Sequence, residues 1–176
     1  MKGSMTAVAL VPDVETVQWH HAREEFVGQE VYGKVPQVKG AIVGEEVGKR
    51  VWCYWTRVWH NDDVAMVKGN TTHILRLVVE DDVLGSQTDG ESERHREAIA
   101  ALLAFAQREA EEWKTEHVEL WSPSASAVAA AQMLDKTAKV IDRAAESIAS
   151  LLWYPEQEGA AADHIEWISN EKYSWC

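Results

Sequence analysis

Between His73 and Pro123 the spacing of apolar residues changes from continuous to helical and back. In HILRLVVED, Ile74, Leu75, Leu77, Val78 and Val79 form an almost unbroken run, the mark of a strand buried on both faces. In SERHREAIAALLAFAQREAEEWK, Ile99, Leu102, Leu103, Ala106, Ala110 and Trp113 recur three or four residues apart. That period predicts one long amphipathic helix, with Ser92 as its cap. HVELWSP is a second strand, stopped by Pro123. A strand–helix–strand of this length predicts a right-handed crossover between parallel strands, and the loop that enters its helix is a natural phosphate site.

The flanking pattern fills in a sheet. TAVALV reads as a short strand ended by Pro12, and Asp13 caps a helix through VETVQWHHAREEFVGQEVYG, closed by Gly33. Its inward positions are Val14, Val17, Trp19, Ala22 and Phe26. VKGAIVG and VWCYWTRVWH predict an antiparallel hairpin, and NDDVAMVKGNT a loop. After Pro123, Ser124 caps a helix through SASAVAAAQML, with Val128, Ala131, Met133 and Leu134 inward. Alanine content extends helix over 136–150, although KVIDR also suits a strand. SLLWYP, the loop EQEGAAAD and HIEWISNEKYSWC then predict a closing antiparallel pair. The order β–α–β–β–β–α–β–α–β–β describes an α+β fold: a mixed central sheet, with an antiparallel meander and one parallel crossover, and helices on both faces.

Composition narrows the class. With 46% hydrophobic and 26% charged residues, the chain has the balance of a globular domain. Residues 1–4 read as an expression scar, and 5–176 as a single domain. Neither a membrane-spanning run nor a signal peptide is visible, and two cysteines suit a reducing compartment, so the expected location is cytoplasmic. A net charge of −12 argues against nucleic-acid and anionic-membrane partners. Nine tryptophans read as aromatic core, with one or two left over for a cleft. Cys53, between Trp52 and Tyr54, reads as an inert buried thiol. His20–His21 and the His60–Asp63 run lack ligand spacing on one face, so no metal site is expected.

The element order is similar to the GNAT fold of N-acetyltransferases. More narrowly, WHHAREEF, VWCYWTRVWH, ILRLVVED, VELWSPS, ESIASLLWYP and HIEWISNEKYSWC resemble the C-terminal domain of the fungal lysine N-acetyltransferase family, over about residues 17–176. The resemblance implies transfer of an acetyl group from acetyl-CoA, as co-substrate, to a small-molecule amine, lysine in that family. It also implies an N-terminal domain of the same full-length protein as a partner. The cofactor would lie where the parallel strands, His73–Asp81 and His117–Ser122, splay apart. Backbone amides of Leu77, Val78 and Val79 would pair with its pantetheine arm, and Arg94 and Arg96 would face the phosphates.

Where typical GNATs carry an Arg/Gln-x-x-Gly-x-Gly/Ala signature, this chain has DDVLGSQTDGESERHRE, whose Gly85 and Gly90 are differently spaced. Asp89, Glu91 and Glu93 favour the helix dipole but oppose an anion there. For the base that deprotonates the amine, Glu80 at a strand end and Glu119 within the second strand are the candidates. Tyr173 and Tyr154 are the candidates for protonating the leaving thiolate. Two further functions fit the same residues: a degenerate, non-catalytic GNAT-like module for substrate recognition or protein interaction, and a small-ligand domain using a tryptophan-rich cleft.

Overall fold

The computed structural model describes residues 5–81, 89–143, 145, 150–154, 164–168 and 170–175. Its centre is a four-stranded sheet in the order β2-β3-β4-β5, formed by Gly40–Val43 (β2), Val51–Val58 (β3), Thr71–Val79 (β4) and His117–Leu120 (β5). β2, β3 and β4 form an antiparallel meander, with Val43 opposite Val51 and Val58 opposite Thr71. The long helix α2 (Asp89–Glu112) carries the chain across to β5, which pairs with β4 in parallel from Thr71↔His117 to Ile74↔Leu120. The fold is thus the α+β mixed sheet with one parallel crossover that the hydrophobic periods imply. α2 begins at Asp89, before Ser92, so Ser92 lies inside the helix rather than capping it.

One face of the sheet holds the core. Val51, Cys53 and Trp55 of β3 and Ile74 of β4 pack on Ile99, Leu102, Leu103 and Ala106 of α2, with Ala127 and Ala130 of α3 (Ala125–Leu134) behind. The α2 stripe is the one its period marks, down to Ala110 and Trp113, both buried. Ser124 caps α3 by accepting from the Ala127 amide at 3.2 Å. In α3, however, Ala127 and Ala130 are the buried residues, while Met133 and Leu134 are exposed, because α3 meets α2 through its small residues.

The opposite face carries α1 (Val14–Tyr32), capped by Asp13 and ended by Gly33 at φ 65° as expected. Its inward face is not the apolar one. Val14 and Phe26 are 68% and 69% exposed and Trp19 is also exposed, whereas His20, Glu24 and Gly28 are buried. The reason is a buried charge cluster. Glu24 Oε1 accepts from the Arg57 amide (2.9 Å) and Nη1 (2.7 Å), and Oε2 from Lys39 Nζ (2.9 Å). Ionic pairing and hydrogen bonding set the face, which a hydrophobicity pattern does not register. The tryptophans divide similarly. Trp55, Trp59 and Trp113 are core, Trp52, Trp121, Trp153 and Trp175 are half-buried, and Trp19 is exposed, so core does not claim most of them.

The C-terminal third departs furthest from expectation. Residues 136–143 form a turn and irregular chain, not helix, and 150–154 contain no strand. A short β6 (Ile165–Trp167) pairs in parallel with β1 (Thr6–Val8), apart from the main sheet, in place of a closing antiparallel pair. The last described residues make a 3-10 turn, Lys172–Ser174. Expectations at 1–4, in the loop at 82–88, at 144 and 146–149, in the loop at 156–163 and at Cys176 lie outside the described residues.

Candidate functional site: a splayed strand pair and an aromatic pocket

β4 runs on past Ile74 while its pairing with β5 stops there, so the two parallel strands part. A register shift at the start of this stretch, where Tyr54 faces Arg76 but Trp55 faces Ile74, leaves Leu75 as an extra, fully buried residue. Beyond it, the Leu77 amide faces the opening, and there it donates to Glu171 Oε1 at 3.1 Å. The Asn170–Trp175 segment lies across the gap. Ser122 Oγ donates to the Asn170 carbonyl (3.0 Å), and His20 Nε2 to the Tyr173 carbonyl (3.0 Å). Lys172 Nζ sits 4.9 Å from the centre of the Trp121 ring. Burial raises the Glu171 carboxyl above its ordinary range, against the Leu77 bond and the nearby Arg76 guanidinium.

The four acid–base candidates are scattered. Glu80 accepts from Arg50 Nε and Nη2, Trp52 Nε1, and the Gly48 and Arg50 amides. The Arg50 guanidinium, foremost among these donors, holds its carboxyl at about 2. A carboxylate that acidic is a poor base at neutral pH. Glu119 is the open one: its side chain is 40% exposed, with Oε2 3.6 Å from His73 Nδ1. Burial drives His73 down to about 3, so that imidazole is neutral. Tyr173 is fully buried, and its hydroxyl donates to the Leu10 carbonyl. Tyr154 is exposed.

At the start of α2, Arg94 donates to the Lys49 carbonyl (3.0 Å) and pairs with Asp81, and Arg96 pairs with Glu93. His95 Nε2 reaches Asp81 Oδ1 at 2.8 Å. Both arginines that would meet phosphates thus have carboxylate partners, and the loop at 82–88 lies outside the described residues. With the Leu77 amide held by Glu171, the described residues do not fit the pantetheine arm of acetyl-CoA unless that segment moves. Cys53 is buried, and burial pushes its thiol up to about 12, consistent with an inert side chain. Among the described residues, no three His, Cys, Asp or Glu side chains gather as a metal set.

A pocket of about 400 Å³ lies on the α1 side of the sheet. Trp52 and Tyr54 of β3, stacked at 6.1 Å with 18° between planes, form its floor with Arg76 and Val78 of β4. Pro12, Asp13, Val14, Val17 and Gln18 form its wall. One tryptophan, Trp52, thus lines a cleft, as the sequence allows for one or two of them, although the sequence does not say where that cleft lies. The available signal is the two-residue spacing of Trp52–Tyr54 and Arg76–Val78, which puts each pair on one face. Which face stays open depends on where α1 lands.

A comparison with protein families decides the kinship. The profile described as the LYC1 GNAT-like C-terminal domain matches residues 1–176. The chain belongs to this family. The GNAT-like reading of the sheet therefore holds for the whole chain, and an acetyltransferase-type fold is what the family supplies. No curated protein and no solved structure shows a significant match. Among the described residues of this GNAT-like domain, no helix is long and apolar enough to cross a membrane.

Proposed function

We propose that this chain is the GNAT-like part of a longer amine N-acetyltransferase, a recognition module that does not transfer acetyl groups alone. The observation that carries this reading is the bond from the Leu77 amide to Glu171. Acyl transfer from a thioester draws on backbone donors aimed at the reacting carbonyl and on a base near the amine. Here the splayed strand offers its amide to a carboxylate of the same chain, and Glu80 and Tyr173 have structural partners. Of the two carboxylates considered as bases, Glu119 is the more exposed, at 40% against 15% for Glu80. A net charge of −12 favours a cationic acceptor, and lysine is the acceptor proposed. Val11, Val14 and Phe26, exposed around α1, offer apolar surface on which an N-terminal domain would rest.

Isothermal titration of this chain with acetyl-CoA, followed by an acetylation assay on lysine, tests the reading. The expected result is no saturable binding up to millimolar cofactor and no product. Micromolar binding with turnover would overturn it and make the chain a self-sufficient acetyltransferase.

A further inference from the structure

The aromatic pocket and the splayed strands share one side chain, Arg76. Arg76 lines the pocket together with Tyr54, while its guanidinium stands 5.4 Å over the Tyr173 ring and pairs with Glu171 through Nε at 3.6 Å. That separation exceeds hydrogen-bond length. Among the described residues, the Arg76 guanidinium donates no hydrogen bond. A planar fork of donors at the edge of an apolar trough suits a carboxylate held by two parallel bonds. At the opposite wall, Asp13 already caps α1, which turns an anionic group away from that end. The floor between them, Trp52, Tyr54 and Val78, suits an apolar body.

We propose that this pocket binds a small carboxylate with an apolar body, and that its capture by Arg76 loosens Glu171 from the splayed strands. The two carboxylates compete for one guanidinium. Glu171 is held by the Leu77 amide and by Arg76, in a setting whose burial disfavours its charge. Drawing Arg76 toward the pocket leaves that charge with less compensation, so the Leu77 amide is released more often. Coupling of this kind is reciprocal: whatever weakens the hold of Glu171 on Arg76 strengthens binding in the pocket. The pocket itself lies apart from the strand opening, whereas the coupling acts on the Leu77–Glu171 bond that carries the proposed function; the hexanoate comparison tests the pocket whatever acetyl-CoA does.

The test uses hexanoate, hexylamine and 1-hexanol on the whole chain, followed by proton–nitrogen NMR with amide hydrogen exchange. Hexanoate is expected to shift the Trp52 indole and Arg76 Nε signals saturably and to speed exchange at Leu77 about fivefold or more, the lower range of ordinary coupling. The amine and the alcohol should do neither. Glu171→Gln should bind hexanoate about fivefold tighter or better, and Arg76→Gln should abolish binding. Equal responses to hexanoate and hexylamine would overturn the carboxylate site, and this comparison needs no variant to fold. Saturable hexanoate binding with unchanged Leu77 exchange, or with unchanged affinity in Glu171→Gln, would overturn the coupling.

Discussion

Glu24 and Arg57 show most plainly how single residues shape this domain. Both are fully buried, and each serves more than one partner, since Arg57 Nη2 also reaches Glu109 Oε2 at 2.5 Å. Removing one member of such a cluster leaves the others charged and dry. Glu24→Ala is therefore expected to destabilise the fold by about 3–5 kcal/mol. Urea unfolding followed by tryptophan fluorescence measures this, and a loss below about 1 kcal/mol would show that water reaches the site. The sequence announces neither residue. A glutamate on a helix and an arginine in a strand read as solvated positions, and their pairing spans 33 residues of chain. By contrast the inert character of Cys53 is legible, because flanking Trp52 and Tyr54 already place it inside a β-rich segment.

At the scale of elements, legibility follows how locally each one is determined. α2 has its full apolar stripe in the sequence, and its hydrophobic side is the side that packs. The hairpin of β2 and β3 is equally local, and its close pairing has a specific requirement at Gly40. A Cβ there would lie 2.5 Å from the Cys53 carbonyl oxygen and 3.1 Å from Tyr54 Cα, both backbone atoms that cannot swing away. Gly40→Ala is thus expected to push β2 off β3 and cost about 1–3 kcal/mol, as overpacking does. A thermal melt checks it, and an unchanged midpoint would mean that β2 shifts freely. The apolar positions of α1 do not mark its inward face, because its buried side is polar. Residues 150–154 form no strand, because β-forming residues need an edge to join, and β6 takes β1 instead.

Across the whole molecule, burial sets the response to acid. His73, and to a lesser degree His20 and His21, have pKa values lowered chiefly by desolvation, His73 to about 3 from 6.5. The folded state then binds fewer protons than the unfolded chain, so stability falls as pH drops from about 6.5 toward 3. Glu80, lowered by its bonds to Arg50, adds a loss from about 4.5 down to about 2. Urea midpoints at pH 7.5 and 5 should show a decline that His73→Gln reduces, by up to about 1.4 kcal/mol per pH unit. An identical decline in the variant would place the titration elsewhere.

What the sequence determined by itself is the local set: the α2 stripe, the hairpin, the caps at Asp13 and Ser124, and the parallel crossover that fixes the fold class. These depend on periodicity and on neighbours a few residues apart, where chain geometry leaves few choices. The tertiary structure decided the rest: which face of α1 turns inward, which side of the sheet stays open as a pocket, and what meets the splayed strands. Glu171 reaches the Leu77 amide from 94 residues away. Contacts that distant depend on how every intervening element packs, and no pattern of residue types along the chain carries that information.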